Sequence, residues 1–118
     1  MNKYQMGTIE MRFAQIIWDN EPVSSSRLVE LAAEILNWKK STTYTVLRKL
    51  CEKGIFQNNN SIVSSLISKE EYASLRSEQF LREEFGNSLP AFLAAFHSRH
   101  QFTEEEIAEL RRMIEEVQ

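Results

Sequence analysis

The sequence predicts a mainly α fold with a small β-hairpin, and three observations predict it. Apolar residues recur at helical spacing in successive segments along most of the chain. After the third such segment the period changes. Ile55-Phe56 and Ile62-Val63-Ser64-Ser65-Leu66-Ile67 are β-prone runs, and between them lies the turn chemistry of Gln57-Asn58-Asn59-Asn60-Ser61. Finally, serines, threonines, prolines and a glycine stand where helices start and stop.

The first helix is expected from about Thr8 to Asp19, with Ile9, Phe13, Ile16 and Ile17 on one stripe. Asn20-Glu21-Pro22 ends it, because Pro22 cannot continue the hydrogen-bond ladder, and Val23 is extended. Ser24-Ser25-Ser26 offers an N-cap hydroxyl to a second helix carrying Leu28, Leu31, Ala32, Ile35 and Leu36. Asn37 and Trp38 break that pattern. Ser41 or Thr42 then caps a third helix that turns Val46, Leu47 and Leu50 inward and closes at Gly54. Beyond the hairpin, Ser68-x-x-Glu71 is a capping box for a fourth helix with Tyr72, Leu75, Gln79 and Phe80, ending near Gly86. Ser88-Leu89-Pro90 opens a fifth, with Pro90 in its first turn, and Thr103-x-x-Glu106 is a second capping box that opens a sixth.

Three helices followed by a two-stranded hairpin is the order of a winged helix-turn-helix. The expected organisation is therefore a winged-helix DNA-binding domain over residues 1–67 and a C-terminal helical dimerisation region over residues 68–118. The third helix carries the chemistry. With its apolar side inward, Ser41, Thr42, Tyr44, Thr45, Arg48 and Lys49 remain for the other side and the flanks. Ser41 and Thr42 stand at a helix N-terminus, which favours phosphate. Thr45 suits a base edge or a thymine methyl, and Arg48 and Lys49 suit a guanine edge or the backbone. Lys39 and Lys40, just before the helix, suit phosphate contacts.

The formal net charge of −3 hides an asymmetry. Residues 1–67 hold eight Lys/Arg against six Asp/Glu, and residues 68–118 hold six against eleven. Residues 39–53 hold five bases and one acid, and phosphate binding needs a local basic surface, not a basic total. The acidic second half is expected to face away from DNA. Its short helices carry Leu81, Phe85, Leu89, Phe92, Leu93, Phe96, Ile107, Leu110, Met113 and Ile114, more apolar surface than they can hide in one copy. A homodimer is expected to cover it.

At 118 residues the chain is too short for a large enzyme. No apolar run reaches membrane-spanning length, so no membrane insertion is expected. Met1-Asn2-Lys3-Tyr4-Gln5 has no apolar segment behind it, so no secretory leader is expected. The single Cys51 excludes an internal disulfide and fits a reducing cytoplasm.

The run Ile16-Ile17-Trp18, the spacer Glu21-Pro22-Val23-Ser24, the stretch from Asn37-Trp38-Lys39-Lys40 through Ser41-Thr42-Thr43-Tyr44-Thr45-Val46-Leu47-Arg48-Lys49-Leu50, and Lys53-Gly54 together resemble the BlaI/MecI/CopY-type penicillinase repressor family. Ser68-Lys69-Glu70-Glu71-Tyr72 and the ending from Phe96 through Thr103-Glu104-Glu105-Glu106-Ile107-Ala108-Glu109-Leu110-Arg111 are similar to the same family, so the likeness runs from about residue 8 to 116. The resemblance implies a homodimeric repressor on a palindromic operator in double-stranded DNA, controlling β-lactam resistance or related stress genes. It implies DNA-reading roles for Thr42 and Thr45 and DNA-facing positions for Ser41 and for Arg48 or Lys49. It also implies relief of repression by a regulatory protease that cuts between late helices, at a position that reads Ala95-Phe96 here instead of the family's Asn-Phe. The wing tip Asn58-Asn59-Asn60 lacks the basic residues many relatives carry, and no cysteine follows Cys51, so the copper-sensing branch is not implied.

No nucleophile elbow, phosphate loop or metal-ligand spacing appears, so no catalytic residue, metal or cofactor is expected. His97 and His100 lack a third ligand nearby. Cys51 reads as a small apolar residue of the third helix, with a redox-sensing thiol as the other reading. Glu83-Glu84 and Glu104-Glu105-Glu106 read as surface acids. The competing function is a winged-helix module that binds protein instead of specific DNA, which the acidic total and uncharged wing favour.

Overall fold

The computed structural model describes residues 4–117, so the Met1–Lys3 part of the leader reading lies outside the described residues. Among these residues the order is α1 (Thr8–Asn20), β1 (Val23–Ser24), α2 (Ser25–Leu36), α3 (Lys40–Glu52), β2 (Phe56–Asn59), β3 (Ile62–Ser65), α4 (Lys69–Phe85), α5 (Leu89–Arg99) and α6 (Glu104–Glu116). This is the expected mainly α fold, a winged helix followed by a helical region. Two compact units result, Met1–Ser77 and Glu78–Gln118. The division falls inside α4. Tyr72, in the first turn of α4, is buried in the first unit's core, its ring tilted 46° to that of Trp18 with centroids 5.8 Å apart.

In the first unit the core gathers Phe13, Ile17, Leu28, Leu50, Ile55, Phe56 and Val63, each fully buried. Helical periodicity selects the right faces of α1 and α2, but not to their ends. Ile9 and Ile35, expected on the apolar stripes, are each 52% exposed, one in the first turn of α1 and the other in the last turn of α2. Ser24 caps α2 by accepting the Arg27 N–H at 3.0 Å, and Asn37 ends it in the left-handed conformation (φ 58°, ψ 40°). Gly54 leaves α3 at φ 80°, which a glycine adopts without steric cost.

The hairpin differs from expectation in two ways. Its turn is only Asn60-Ser61, both at positive φ, so Gln57, Asn58 and Asn59 belong to β2. It is also not two-stranded. β1 pairs with β3 (Val23 opposite Val63, Ser24 opposite Ile62), giving an antiparallel sheet of order β1-β3-β2. The Ser61 carbonyl accepts the Ser25 N–H at 2.8 Å, and the Glu21 carboxylate accepts from the Ser65 N–H and hydroxyl, both at 2.7 Å. The wing is thereby tied to α2 at its turn and to the end of α1 at its base.

The second unit is built differently. Ser88 caps α5 through the Ala91 N–H, Pro90 stands in the first turn of α5, and Thr103 with Glu106 forms the expected capping box of α6. Phe80, Phe85, Phe92 and Phe96 make a chain of ring contacts at 5.5–6.1 Å. Yet α5 and α6 contain no buried residue. Of the residues expected at a dimer interface, Leu89, Phe96, Ile107 and Ile114 are exposed, and Phe85, Phe92, Leu93 and Leu110 are half-buried. No helix among the described residues is long and apolar enough to cross a membrane.

Candidate nucleic-acid interface

α3 is held by its inner side. Leu47 and Leu50 are buried, as expected, and Thr43 joins them fully buried. A polar core residue is tolerated here because the Thr43 hydroxyl donates to the Lys39 carbonyl at 3.1 Å, so no buried hydroxyl is left unsatisfied. Val46, expected inward, is only half-buried.

The N-terminus of α3 is not capped as the sequence suggested. Neither Ser41 nor Thr42 is the N-cap. That position is Lys39, which provides no side-chain hydrogen bond, because the chain leaves the left-handed Asn37 and re-enters a helix two residues before the first hydroxyl. The first-turn N–H groups of α3 are therefore free of side-chain acceptors, with Lys39, Lys40, Ser41 and Thr42 exposed around them. An uncapped helix start with two lysines beside it favours an anion.

Thr45, Arg48 and Lys49 are exposed on the outward side. The Thr45 hydroxyl donates to the Ser41 carbonyl at 2.9 Å. Its proton is thus spoken for, and what Thr45 presents outward is a methyl group and oxygen lone pairs. Tyr44 is less open than the others. It is half-buried against the core, and its hydroxyl lies 3.4 Å from Ser25 Oγ, so it braces α3 against the start of α2.

The five bases of residues 39–53 do not act alike. Lys53 is partly buried, donating to the Gln5 carbonyl at 2.7 Å and pairing with Glu10 at 3.3 Å. The Gly7 N–H, then the charges of Lys53 and Lys49, hold the Glu10 carboxyl below its ordinary value against the opposing effect of burial. Lys53 is therefore committed to the protein. Among the described residues Lys39, Lys40, Arg48 and Lys49 are exposed and form no ion pair, leaving four cations available.

Between α3 and β2 lies a concavity of about 330 Å³ lined by Tyr44, Leu47, Arg48, Cys51 and Asn58. Cys51 is half-buried there, and burial, with the Glu52 charge adding, pushes its thiol above the ordinary range. The thiol stays protonated and neutral at pH 7, which disfavours the redox reading. Asn58 was not singled out from sequence as a residue facing α3. The signal was present: Asn58 follows Phe56 by two, so in a strand both share a face, but reading Gln57–Ser61 as a turn hid it.

The remaining candidates lie in the second unit. Ala95 and Phe96 are inside α5, not in the connection that follows it. His97 accepts the Phe102 N–H at 3.2 Å, and His100 lies 3.5 Å from Glu106, so both serve the α5–α6 joint. Among the described residues no group of three or more His, Cys, Asp or Glu is placed to hold a metal ion.

The family model described as "Penicillinase repressor" matches residues 6–116. The "Penicillinase repressor" of Bacillus licheniformis is 22% identical over 116 residues, covering 95% of this chain and 91% of that one. The "Methicillin resistance regulatory protein MecI" of Mammaliicoccus sciuri is 22% identical over 115 residues, covering 94% of each.

Proposed function

The chain belongs to the penicillinase repressor family, and from that premise we propose that it is a sequence-specific DNA-binding repressor that acts as a homodimer on a palindromic operator. The observation that carries the reading is the outward side of α3: four cations without ion-pair partners among the described residues, flanking an uncapped helix start and an exposed Ser41, Thr42 and Thr45. A helix of this kind, held by Thr43, Leu47 and Leu50, fits the major groove, which is about 12 Å wide. Lys39, Lys40 and the free N–H groups take phosphates and set the register. Thr45 meets a thymine methyl or accepts from an amino group of a base, and Thr42 and Lys49 border the same edge.

The exposed apolar residues of α5 and α6, Leu89, Phe96, Ile107 and Ile114 above all, are the proposed dimer surface. Pairing there sets two copies of α3 on successive half-sites. The names of the relatives point to β-lactam resistance genes as the regulated class. In the proposed relief of repression a protease cuts at Ala95–Phe96. Because that bond is helical, the turns of α5 around it must open first.

Selection of bound duplexes from a random pool tests the reading. The expected result is a palindrome whose half-sites lie about 34 Å, or a multiple of that, apart. Thr45→Ala is expected to weaken binding to the selected duplex by ~1–3 kcal/mol. Lys40→Ala is expected to weaken all duplexes alike and lower the salt slope by ~0.9. A pool without enrichment, together with affinity that ignores salt, contradicts the proposal and is what a protein-binding winged helix gives.

A further inference from the structure

We infer that Arg48 of α3 and Asn58 of β2 form a two-element clamp on a single DNA backbone phosphate, with the wing contributing a neutral amide where a cation is absent. The inference rests on the proposed DNA-binding role of α3 and adds a site and a ligand group to it.

Both side chains line the one concavity between α3 and β2. Both are exposed, and among the described residues neither forms a hydrogen bond or ion pair. The neighbouring wing amides are different: Asn59 donates to Gln57 at 3.1 Å, and Gln57 donates to Ser64 at 3.2 Å, so that pair is occupied along the other face of the hairpin. Asn58 is therefore a wing amide with both N–H donors uncommitted, and it is the one that lines the concavity with Arg48.

Its position is fixed. Asn58 is paired with Val63 in the central strand, Val63 is fully buried and also paired with Val23, and the hairpin turn is bonded to Ser25. The Asn58 backbone is thus anchored in the three-stranded sheet. A helix about 10–12 Å in diameter fills the major groove, so an element standing beside it meets the sugar–phosphate strand that borders the groove. The concavity between the two elements is where that strand passes.

The lining suits a phosphodiester. A guanidinium forms paired N–H bonds with phosphate oxygens, and an amide adds a neutral donor. No carboxylate lines the concavity and the Cys51 thiol is held in its neutral form, so the lining itself carries no negative charge, and the Glu52 carboxylate acts on it only from outside. The apolar floor, Leu47, lowers the competition from water for these donors.

The test uses the full-length protein and the duplex it selects, with one backbone phosphate at a time replaced by an uncharged methylphosphonate. At one position per half-site the replacement is expected to weaken the wild type about tenfold. The same replacement is expected to change Arg48→Ala little, since its ionic contact is already gone, and to cost Asn58→Ala less than it costs the wild type, since only the amide's share has been lost. On unmodified duplexes Asn58→Ala is expected to bind selected and random sequences more weakly by the same factor with the salt slope unchanged, whereas Arg48→Ala lowers the slope by ~0.9. Asn58→Asp binds more weakly still, and Asn59→Ala binds as the wild type does. The proposal is overturned alone if the wild type binds its selected duplex and Asn58→Ala binds it equally well, or if Arg48→Ala and Asn58→Ala lose sensitivity at different phosphates. A wild type that selects no duplex overturns the DNA-binding role itself.

Discussion

The two units of this chain solve the burial problem differently. The first closes a core of its own, with Phe13, Ile17, Leu28, Leu50, Ile55, Phe56 and Val63 fully buried around a three-stranded sheet. In the second, α5 and α6 bury no residue, and their apolar side chains line an open concavity of about 320 Å³ formed by Phe92, Leu93, Phe96, Phe102, Leu110 and Met113 with Glu106 and Glu109. A closed core holds a reading helix still. An open apolar set gains stability only when something covers it, which makes its assembly dependent on concentration. The division of labour proposed here, reading by one unit and pairing by the other, follows from that contrast.

The contrast breaks most visibly at the core. Phe13→Ala is expected to destabilise the first unit by ~3–5 kcal/mol, read by urea unfolding, since the ring is fully buried. A similar loss from Phe96→Ala measured on dilute monomer would erase the distinction between the units. Phe96→Glu acts next. It is expected to raise the dimer dissociation constant about thirtyfold in sedimentation while leaving the first unit's unfolding unchanged.

Smaller effects sharpen the picture within the first unit. The Glu10 carboxyl is depressed, so its stabilising contribution is present above the ordinary carboxylate value and is lost as pH falls through the lower folded value. Glu10→Gln is expected to cost about 1 kcal/mol or less at pH 7 and to flatten the acid side of the stability curve. A variant whose acid limb is as steep as the wild type's places the acid sensitivity elsewhere. Smallest of all, Ile9→Ala and Ile35→Ala are expected to change stability by less than about 0.5 kcal/mol in thermal unfolding, because both side chains are half in solvent.

Those two isoleucines also mark how far the sequence could be read. The capping boxes at Ser68 and Thr103, the Pro90 start and the Gly54 stop are local signals, and each appears in place. The stripes of α1 and α2 are legible where a neighbouring element packs on them and fail at their ends, where none does. What stayed hidden is non-local or needs a competing local bond. The pairing of Val23 with Val63 joins residues far apart in sequence, and it turns a hairpin into a sheet. Thr43 looked no different from Ser41 and Thr42, yet its bond to the Lys39 carbonyl lets it lie in the core. In the candidate site the basic and hydroxyl residues of α3 were legible by type and spacing. That Lys53 is held by Glu10 and Tyr44 by the core was not, because both depend on elements packed from elsewhere in the chain.

The central claim is that the outward side of α3, with the adjoining edge of the wing, is the surface that meets DNA. Backbone amide resonances of the isotope-labelled protein, followed while the selected duplex is added, test it most directly. The account predicts the largest shifts at residues 39–49 and at Asn58, with the amides of α1 little moved. Shifts gathered elsewhere, with the α3 amides unchanged at saturating duplex, would contradict it.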